Sequence, residues 1–220
     1  KTVFNKKLSF QNLKKIKVYE KDFSIKEDFN ITKIAKLLYL DHVVARVSGR
    51  AEFGARSLGN RSILANPNNI ENVKKINESI KNRDFWMPFT PSILHNHANQ
   101  FLINKKNVSS PYMTIGYDTF DQAKSLIPAC LHMGDYSARP QFVRKDVNPE
   151  FWTLINEFFK LSNIPCLLNT SLNLHGEPMN YSIEDAIRTL SKSSLNFLSL
   201  PNNILVYKNV KKNIISEVCK

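Results

Sequence analysis

GRAEFGARSLGNRSILANPNNIENVKKINESIKNRDFWMPFTP, residues 49–91, is the stretch on which the reading of the whole chain turns. Arg50, Arg56, Arg61, Lys81 and Arg83 are its fixed positive charges, and Gly54, Ser57, Gly59, Asn60 and Ser62 crowd around two of them. Small and hydroxylated residues let a backbone approach a ligand closely. Arginine meets phosphate as a planar fork, whereas lysine acts as a movable point charge. The mixture therefore points to an anionic, phosphorylated ligand. The same stretch also announces structure. Ser62–Ala65 is short enough for a strand, Asn66-Pro67-Asn68-Asn69 ends it, and Ile70, Val73, Ile76 and Ile80 define one face of a helix that delivers Lys81 and Arg83 from its C-terminal end. Pro88 and Pro91 prevent that helix from continuing, so Phe89–Leu94 reads as extended chain.

Upstream, residues 1–29 are lysine-rich and weakly periodic, and are expected to wrap the domain or link it to something before it. Ile31, Ile34, Leu37 and Leu38 form the apolar stripe of a helix ending near Leu40, and His42–Val47 reads as a strand. Downstream, residues 95–130 carry little pattern beyond a loop at Ser109-Ser110-Pro111 and a candidate strand at Tyr112–Tyr117. Gln141–Val143 enters a strand just after Arg139. Asn148 as N-cap and Pro149 at the first helical position open a helix whose face is Phe151, Leu154, Ile155 and Phe158. Ile164–Leu168 is a buried-strand candidate that runs into Asn169–Pro178. Ser182 and Asp185 make a capping box for a helix with Ile183, Ala186, Ile187 and Leu190 on one face. Strands at Leu195–Leu200 and Ile204–Tyr207 follow, and residues 209–220 read as a peripheral tail. Helices alternating with short apolar strands predict an α/β (α+β) domain built on a mixed sheet.

The 220 residues include 31 basic and 19 acidic side chains, a formal charge of +12 that bears on partners rather than fold. Nucleotides, other phosphorylated small molecules and nucleic acid all fit that charge. The lysines are scattered and no nucleic-acid-binding motif accompanies them, so an RNA-binding or otherwise non-catalytic module is the alternative and not the leading reading. Cys130, Cys166 and Cys219 are not spaced as a zinc or redox pair, which sets a reduced, cytoplasmic chain as the expectation. No apolar run reaches the roughly 18 residues of a membrane span, and Lys1-Thr2-Val3-Phe4 does not open a signal peptide. The first residue is not Met, which hints at an excised piece or a split polypeptide. His95-Asn96-His97 lacks further ligands at metal-binding spacing, so no metal site is expected.

Three separated stretches resemble one family. GRAEFGARSLGNRSIL is similar to the signature GRMEFGPRALGNRSIL, which opens the C-terminal domain of carbamoyltransferases of the nodulation and antibiotic-tailoring type. DYSARPQFV resembles that family's DGTARPQTV segment, and LLNTSLNLHGEPMNYSIEDAIRTL resembles its LLNTSFNxxGEPIVxxPxDAxxxF block. The match covers about residues 30–208 in the family's order. Lys81-x-Arg83, and Ser171-x-Asn173 before Gly176, are also similar to the KxR and SxN signatures of threonylcarbamoyl-adenylate synthases. Ala51, Ala55 and Ser57 depart from the first signature, and Tyr136-Ser137 from the second. Loss of the proline before Arg56 loosens a turn without deleting a charge.

The resemblance implies a YrdC-like twisted mixed sheet flanked by helices, over residues 30–208, that joins ATP and carbamoyl phosphate chemistry to make carbamoyl-adenylate. It further implies a Kae1-like, iron-binding N-terminal domain, in cis or in trans, that passes the carbamoyl group to an acceptor hydroxyl. Magnesium would arrive with ATP. By the same resemblance Lys81 and Arg83 hold the triphosphate, Arg56 and Arg139 hold carbamoyl phosphate or its products, and Ser171 and Asn173 complete the phosphate site. Arg50, Arg61, Asp135, Gln141, Asn169, Thr170 and Gly176 fall inside the matched motifs as further binding candidates. Glu52 is a candidate to orient an arginine, ligate magnesium or form a salt bridge. A threonylcarbamoyl-adenylate synthase acting on threonine and bicarbonate is the second enzymatic alternative. A homodimer is left open.

Overall fold

The computed structural model describes residues 22–81 and 87–219, so Arg83 lies outside the described residues. Strands β1 (Phe23–Lys26), β2 (Val44–Val47), β3 (Arg61–Ala65), β4 (Thr90–Leu94), β5 (Gln141–Val143), β6 (Cys166–Ser171), β7 (Phe197–Leu200) and β8 (Ile204–Lys208) form one sheet in the order β1-β8-β7-β2-β3-β6-β4-β5. The pairs β2–β7 and β4–β5 are parallel and the other neighbours antiparallel, so the sheet is mixed. The helices are α1 (Ile31–Tyr39), α2 (Glu71–Ile76), α3 (Asp121–Leu126), α4 (Pro149–Ser162), α5 (Ile183–Lys192) and α6 (Lys212–Val218).

Both faces of the sheet are covered, which is why its central strands read as unbroken apolar runs. On one face, Val44, Leu64 and Ile93 pack with residues of α1, α4 and α6. On the other, Ala45, Val47, Ile63 and Leu168 pack with Ile76, Ile80 and the Ala186, Ile187 and Leu190 face of α5. Residues 44 and 45, and 63 and 64, thus alternate between two cores, as the period of a strand requires. Phe151, Leu154, Ile155 and Phe158 of α4 are all fully buried, a set worth ~6–12 kcal/mol of hydrophobic transfer before entropy is charged against it.

The local signals that start these helices are physical. Asn30 accepts from Lys33 N at 3.1 Å to cap α1, and Asn148 accepts from Phe151 N at 3.1 Å to cap α4. The α4 helix stops at Asn163, whose left-handed φ of 59° turns the chain while its N–H still bonds Phe159 O. Ser182 and Asp185 form the reciprocal capping box at α5. The α2 helix ends in a π-helical turn, Asn77–Lys81, that brings both Ile80 and Lys81 inside. A wider turn rotates successive residues less far apart in facing, so an apolar and a charged neighbour can share the interior.

The packed unit extends past both expected boundaries. β1 falls within the segment read as a linker and adds an edge strand, with Phe23 opposite Lys208 and Lys26 opposite Leu205. The expected peripheral tail instead forms α6, which buries Ile215 and Val218 against α1. Tyr112–Tyr117 is not a strand, because Met113 has a φ of 56°; Tyr117 alone pairs, with Ala138. The strand expected at Ile164–Leu168 is β6, which runs on through Asn169 and Thr170 to Ser171. No helix among the described residues is long and apolar enough to cross a membrane.

Candidate functional site

The signature loop between β2 and β3 is built around a carboxylate. Glu52 Oε1 accepts from the backbone N–H groups of Leu58 (2.7 Å), Asn60 (2.7 Å) and Arg61 (3.3 Å). That oxygen is thereby committed to the loop's own backbone and not to an arginine or a metal. Arg61 is fully buried and serves the same loop. It donates to Ser48 O (2.8 Å), Asn60 O (2.9 Å), Gly49 O (3.3 Å) and twice to Tyr181 O (3.1 and 3.0 Å), pinning the loop to the chain just before α5. Burial lowers its pKa, and Glu52 opposes that shift.

Arg46, which the sequence reading passed over, completes the frame. It is buried, donates to Gly59 O and to the Glu150 carboxylate at 3.1 Å, and sits 5.8 Å from the Phe151 ring centre. Burial lowers its pKa to about 10 against the pull of Glu150. The missed signal was an arginine in the middle of the otherwise apolar run HVVARV, since a charge is fully buried almost solely when paired. At Gly59, φ is +114° and an added Cβ would lie 2.3 Å from Phe151 Cδ1, so no other residue fits there.

This frame presents one wall of an open cleft lined by Ala55, Arg56 and Ser57 from the loop, Pro88–Thr90, Met113, Arg139, and Asn169–Ser171 from β6. Arg56 is exposed and Arg139 half-buried. Beneath them, Ser57 Oγ donates to Arg61 O at 2.7 Å and meets Ser62 Oγ at 2.5 Å. Asn169 Nδ2 donates to Ser92 Oγ at 2.9 Å and to Ser57 O at 3.3 Å. Ser92 in turn donates to Gln141 Oε1 at 2.8 Å, and Gln141 Nε2 to Leu58 O at 2.9 Å.

Lys81 stands behind the Ser171 side of the cleft, nearly fully buried. Its ammonium donates to Asn173 Oδ1 (2.7 Å), Ser171 Oγ (3.1 Å) and Asn173 O (3.3 Å), while His175 Nδ1 donates to the Lys81 carbonyl at 2.6 Å. Lys81 of the KxR motif and Ser171 and Asn173 of the SxN motif, recognised separately in the sequence, are therefore one hydrogen-bonded unit. Gly176, at φ +75°, makes the turn that lets Asn173 Nδ2 reach Leu174 O and Glu177 O.

Other candidates lie apart. Arg50 is exposed and contributes its carbonyl to Asn60 Nδ2 at 2.9 Å. Asp135 sits in an exposed turn, accepting from Ser137 N and His132, and its pKa is lowered chiefly by the Ser137 backbone N–H. His95 and His97 pack against the rings of Phe142 and Phe159. Among the described residues, no three His, Cys, Asp or Glu side chains gather as a metal site.

Residues 35–208 match the family described as carbamoyltransferase C-terminus. The chain belongs to this carbamoyltransferase family. It is 40% identical over 157 residues to nodulation protein NolO of Bradyrhizobium diazoefficiens, covering 71% of this chain and 28% of that protein. It is 39% identical over 157 residues to nodulation protein NolNO of Sinorhizobium fredii, covering 71% and 23%. The carbamoyltransferase domain thus spans about a quarter of each of these relatives. A doubly substituted P. abyssi Sua5 superposes with a TM-score of 0.53 at 15% identity, over 80% of this chain and 50% of that one. That likeness shows the fold, a YrdC-like mixed sheet flanked by helices.

Proposed function

We propose that this carbamoyltransferase domain binds ATP and carbamoyl phosphate and forms carbamoyl-adenylate, which a Kae1-like domain uses to carbamoylate an acceptor hydroxyl. The observation that carries the reading is the convergence of Arg56 and Arg139 on one cleft with Asn169, Thr170 and Ser171, next to the Lys81–Ser171–Asn173 unit. The two substrates together bring roughly six negative charges near neutral pH, since phosphate second pKa values are about 6. Several cations must converge before the two anions can approach within reacting distance. None of the described residues lining the cleft is acidic, which fits a nucleotide arriving with its own magnesium, held by phosphates rather than by a protein cage.

The chemistry asks mostly for position and charge. Water cleaves carbamoyl phosphate to carbamate and inorganic phosphate; a carbamate oxygen then forms a bond to the α-phosphorus of ATP as the bond to pyrophosphate breaks. Negative charge builds on the equatorial oxygens and on the departing pyrophosphate, where fixed donors stabilise it. Lys81 would serve the triphosphate, with Ser171 and Asn173 aiming its ammonium, and Arg139 and Arg56 would hold the acyl phosphate. Arg83 is assigned to the triphosphate by its place in the KxR motif. Arg61 and Glu52 would act at one remove, by holding the loop that carries Arg56.

The test is pyrophosphate release from labelled ATP in the presence of carbamoyl phosphate, with the partner domain supplied. No turnover beside an active control enzyme sinks the reading. The shared fold and the KxR and SxN motifs favour a second arm with threonine and bicarbonate; turnover there and not with carbamoyl phosphate would reassign the domain as a threonylcarbamoyl-adenylate synthase.

A further inference from the structure

We propose that Asn169 reads the acyl group: its side-chain oxygen accepts an N–H from the carbamoyl nitrogen and so selects carbamoyl over the near-isosteric acetyl. This deepens the carbamoyl-adenylate reading above and rests on it. Asn169 lies on β6 in the lining of the cleft and is fully buried. The orientation of its amide is fixed by a chain of hydrogen bonds with a backbone carbonyl at each end. Leu58 O can only accept, so Gln141 presents its Nε2 there, at 2.9 Å. Gln141 Oε1 therefore takes the Ser92 hydroxyl proton, at 2.8 Å, and Ser92 Oγ is left to accept from Asn169 Nδ2, at 2.9 Å. The same Nδ2 donates to Ser57 O, the second carbonyl, at 3.3 Å. Flipping the Asn169 amide would set its oxygen against two oxygens that offer it no proton.

The amide oxygen that remains, Asn169 Oδ1, is buried and meets no hydrogen-bond donor among the described residues. A buried acceptor in that state is costly unless a ligand supplies the donor. The cleft is thus chemically asymmetric. Arg56 and Arg139 offer donors to an anion, while Asn169 offers an acceptor to an N–H. A carbamoyl group, with oxygens at one end and NH₂ at the other, satisfies both. An acetyl group places a methyl against Oδ1 and leaves it without a donor.

Full-length protein with its partner domain is assayed for pyrophosphate release from ATP with carbamoyl phosphate or with acetyl phosphate, before and after Asn169→Ala and Asn169→Leu. The wild type is expected to favour carbamoyl phosphate by at least about tenfold, since a site built around a hydrogen bond rejects the analogue that lacks it. The ratio should fall to within about threefold of unity in the variants. Unfolding transitions identify variants that remain folded. Folded variants that keep the wild-type ratio overturn the role of Asn169 and leave the adenylate reading standing. Calorimetry on the wild type needs no variant: equal affinity for the two acyl phosphates also overturns it. No turnover of either acyl phosphate by the wild type removes both proposals.

Discussion

Gly59→Ala tests whether the signature loop is held against α4 as closely as the structure places it. Two costs add at this position. The backbone φ of +114° lies where an L-residue is strained, worth ~1–3 kcal/mol. The new methyl would stand 2.3, 2.5 and 2.8 Å from Cδ1, Cγ and Cε1 of Phe151, a ring fully buried in the core; overpacking of that kind costs ~1–3 kcal/mol. The ring has little room to yield, because the Arg46 guanidinium lies 5.8 Å from its centre while bonding Gly59 O. The sum, ~2–6 kcal/mol, is a large share of the ~5–15 kcal/mol by which domains are stable. At a urea slope of ~3 kcal/mol per M, the unfolding midpoint should fall by ~0.7–2 M. The two costs separate in a double-mutant cycle. Phe151→Ala removes all three of those atoms, so in that background Gly59→Ala should lose its steric part and keep ~1–3 kcal/mol of backbone strain. A loss below ~0.5 kcal/mol, or one undiminished in the Phe151→Ala background, would refute the close packing of loop on helix.

Further outcomes follow from the same frame. Arg61→Lys should destabilise by ~2–4 kcal/mol in chemical denaturation, because three ammonium donors replace a fork that serves four buried or half-buried carbonyls; a change under ~1 kcal/mol would remove its role as a clamp. Arg56→Ala should leave unfolding within ~0.5 kcal/mol of wild type, since the side chain is exposed. Calorimetry should nevertheless show acyl-phosphate binding weakened by at least ~1.5 kcal/mol, and Lys81→Ala should weaken ATP binding by at least as much; unchanged affinities would take either residue out of the site. The Asp185 carboxyl is held below its ordinary value of 3.8, first by the Ser182 backbone N–H. Its stabilisation is therefore fully present above pH ~4 and lost as pH falls through the lower folded value. Asp185→Asn should flatten the acid limb of thermal stability relative to wild type, and an unchanged limb would discount the capping box as an acid-sensitive contact.

What the sequence made legible was local and repeated. Asn148-Pro149 and Ser182–Asp185 named two helix starts, because caps are written within four residues. The central strands were readable because burial on both faces leaves no polar alternation to confuse them. β1 was not readable, because Phe23–Lys26 is an edge strand whose place depends on β8, about 180 residues later in the chain. α6 was hidden for a similar reason: Ile215 and Val218 look like sparse apolar residues in a lysine-rich tail until α1 is there to receive them. In the site, motif positions could be recognised but their direction could not. Nothing in Ser171-x-Asn173 says that both side chains turn to Lys81, which lies 90 residues earlier.

The arginines show most clearly where sequence reading stops. Arg46, Arg56, Arg61 and Arg139 are chemically identical, and three of the four lie in motifs that pointed to phosphate. The structure sorts them by their surroundings. Arg61 is ringed by carbonyls from Ser48, Gly49, Asn60 and Tyr181, and Arg46 is held by Gly59 O and Glu150. A guanidinium whose donors already meet backbone oxygens gains little by turning to a ligand, since it would strand those buried acceptors. Arg56, by contrast, is exposed beside a cleft, carried on a loop that Glu52 and Arg61 hold from behind. Two buried cations thus serve the geometry of the loop that presents a third. On that division, replacing Arg61 should be felt first in stability and replacing Arg56 first in binding, so that the two effects are separable although both residues stand within six positions of one signature.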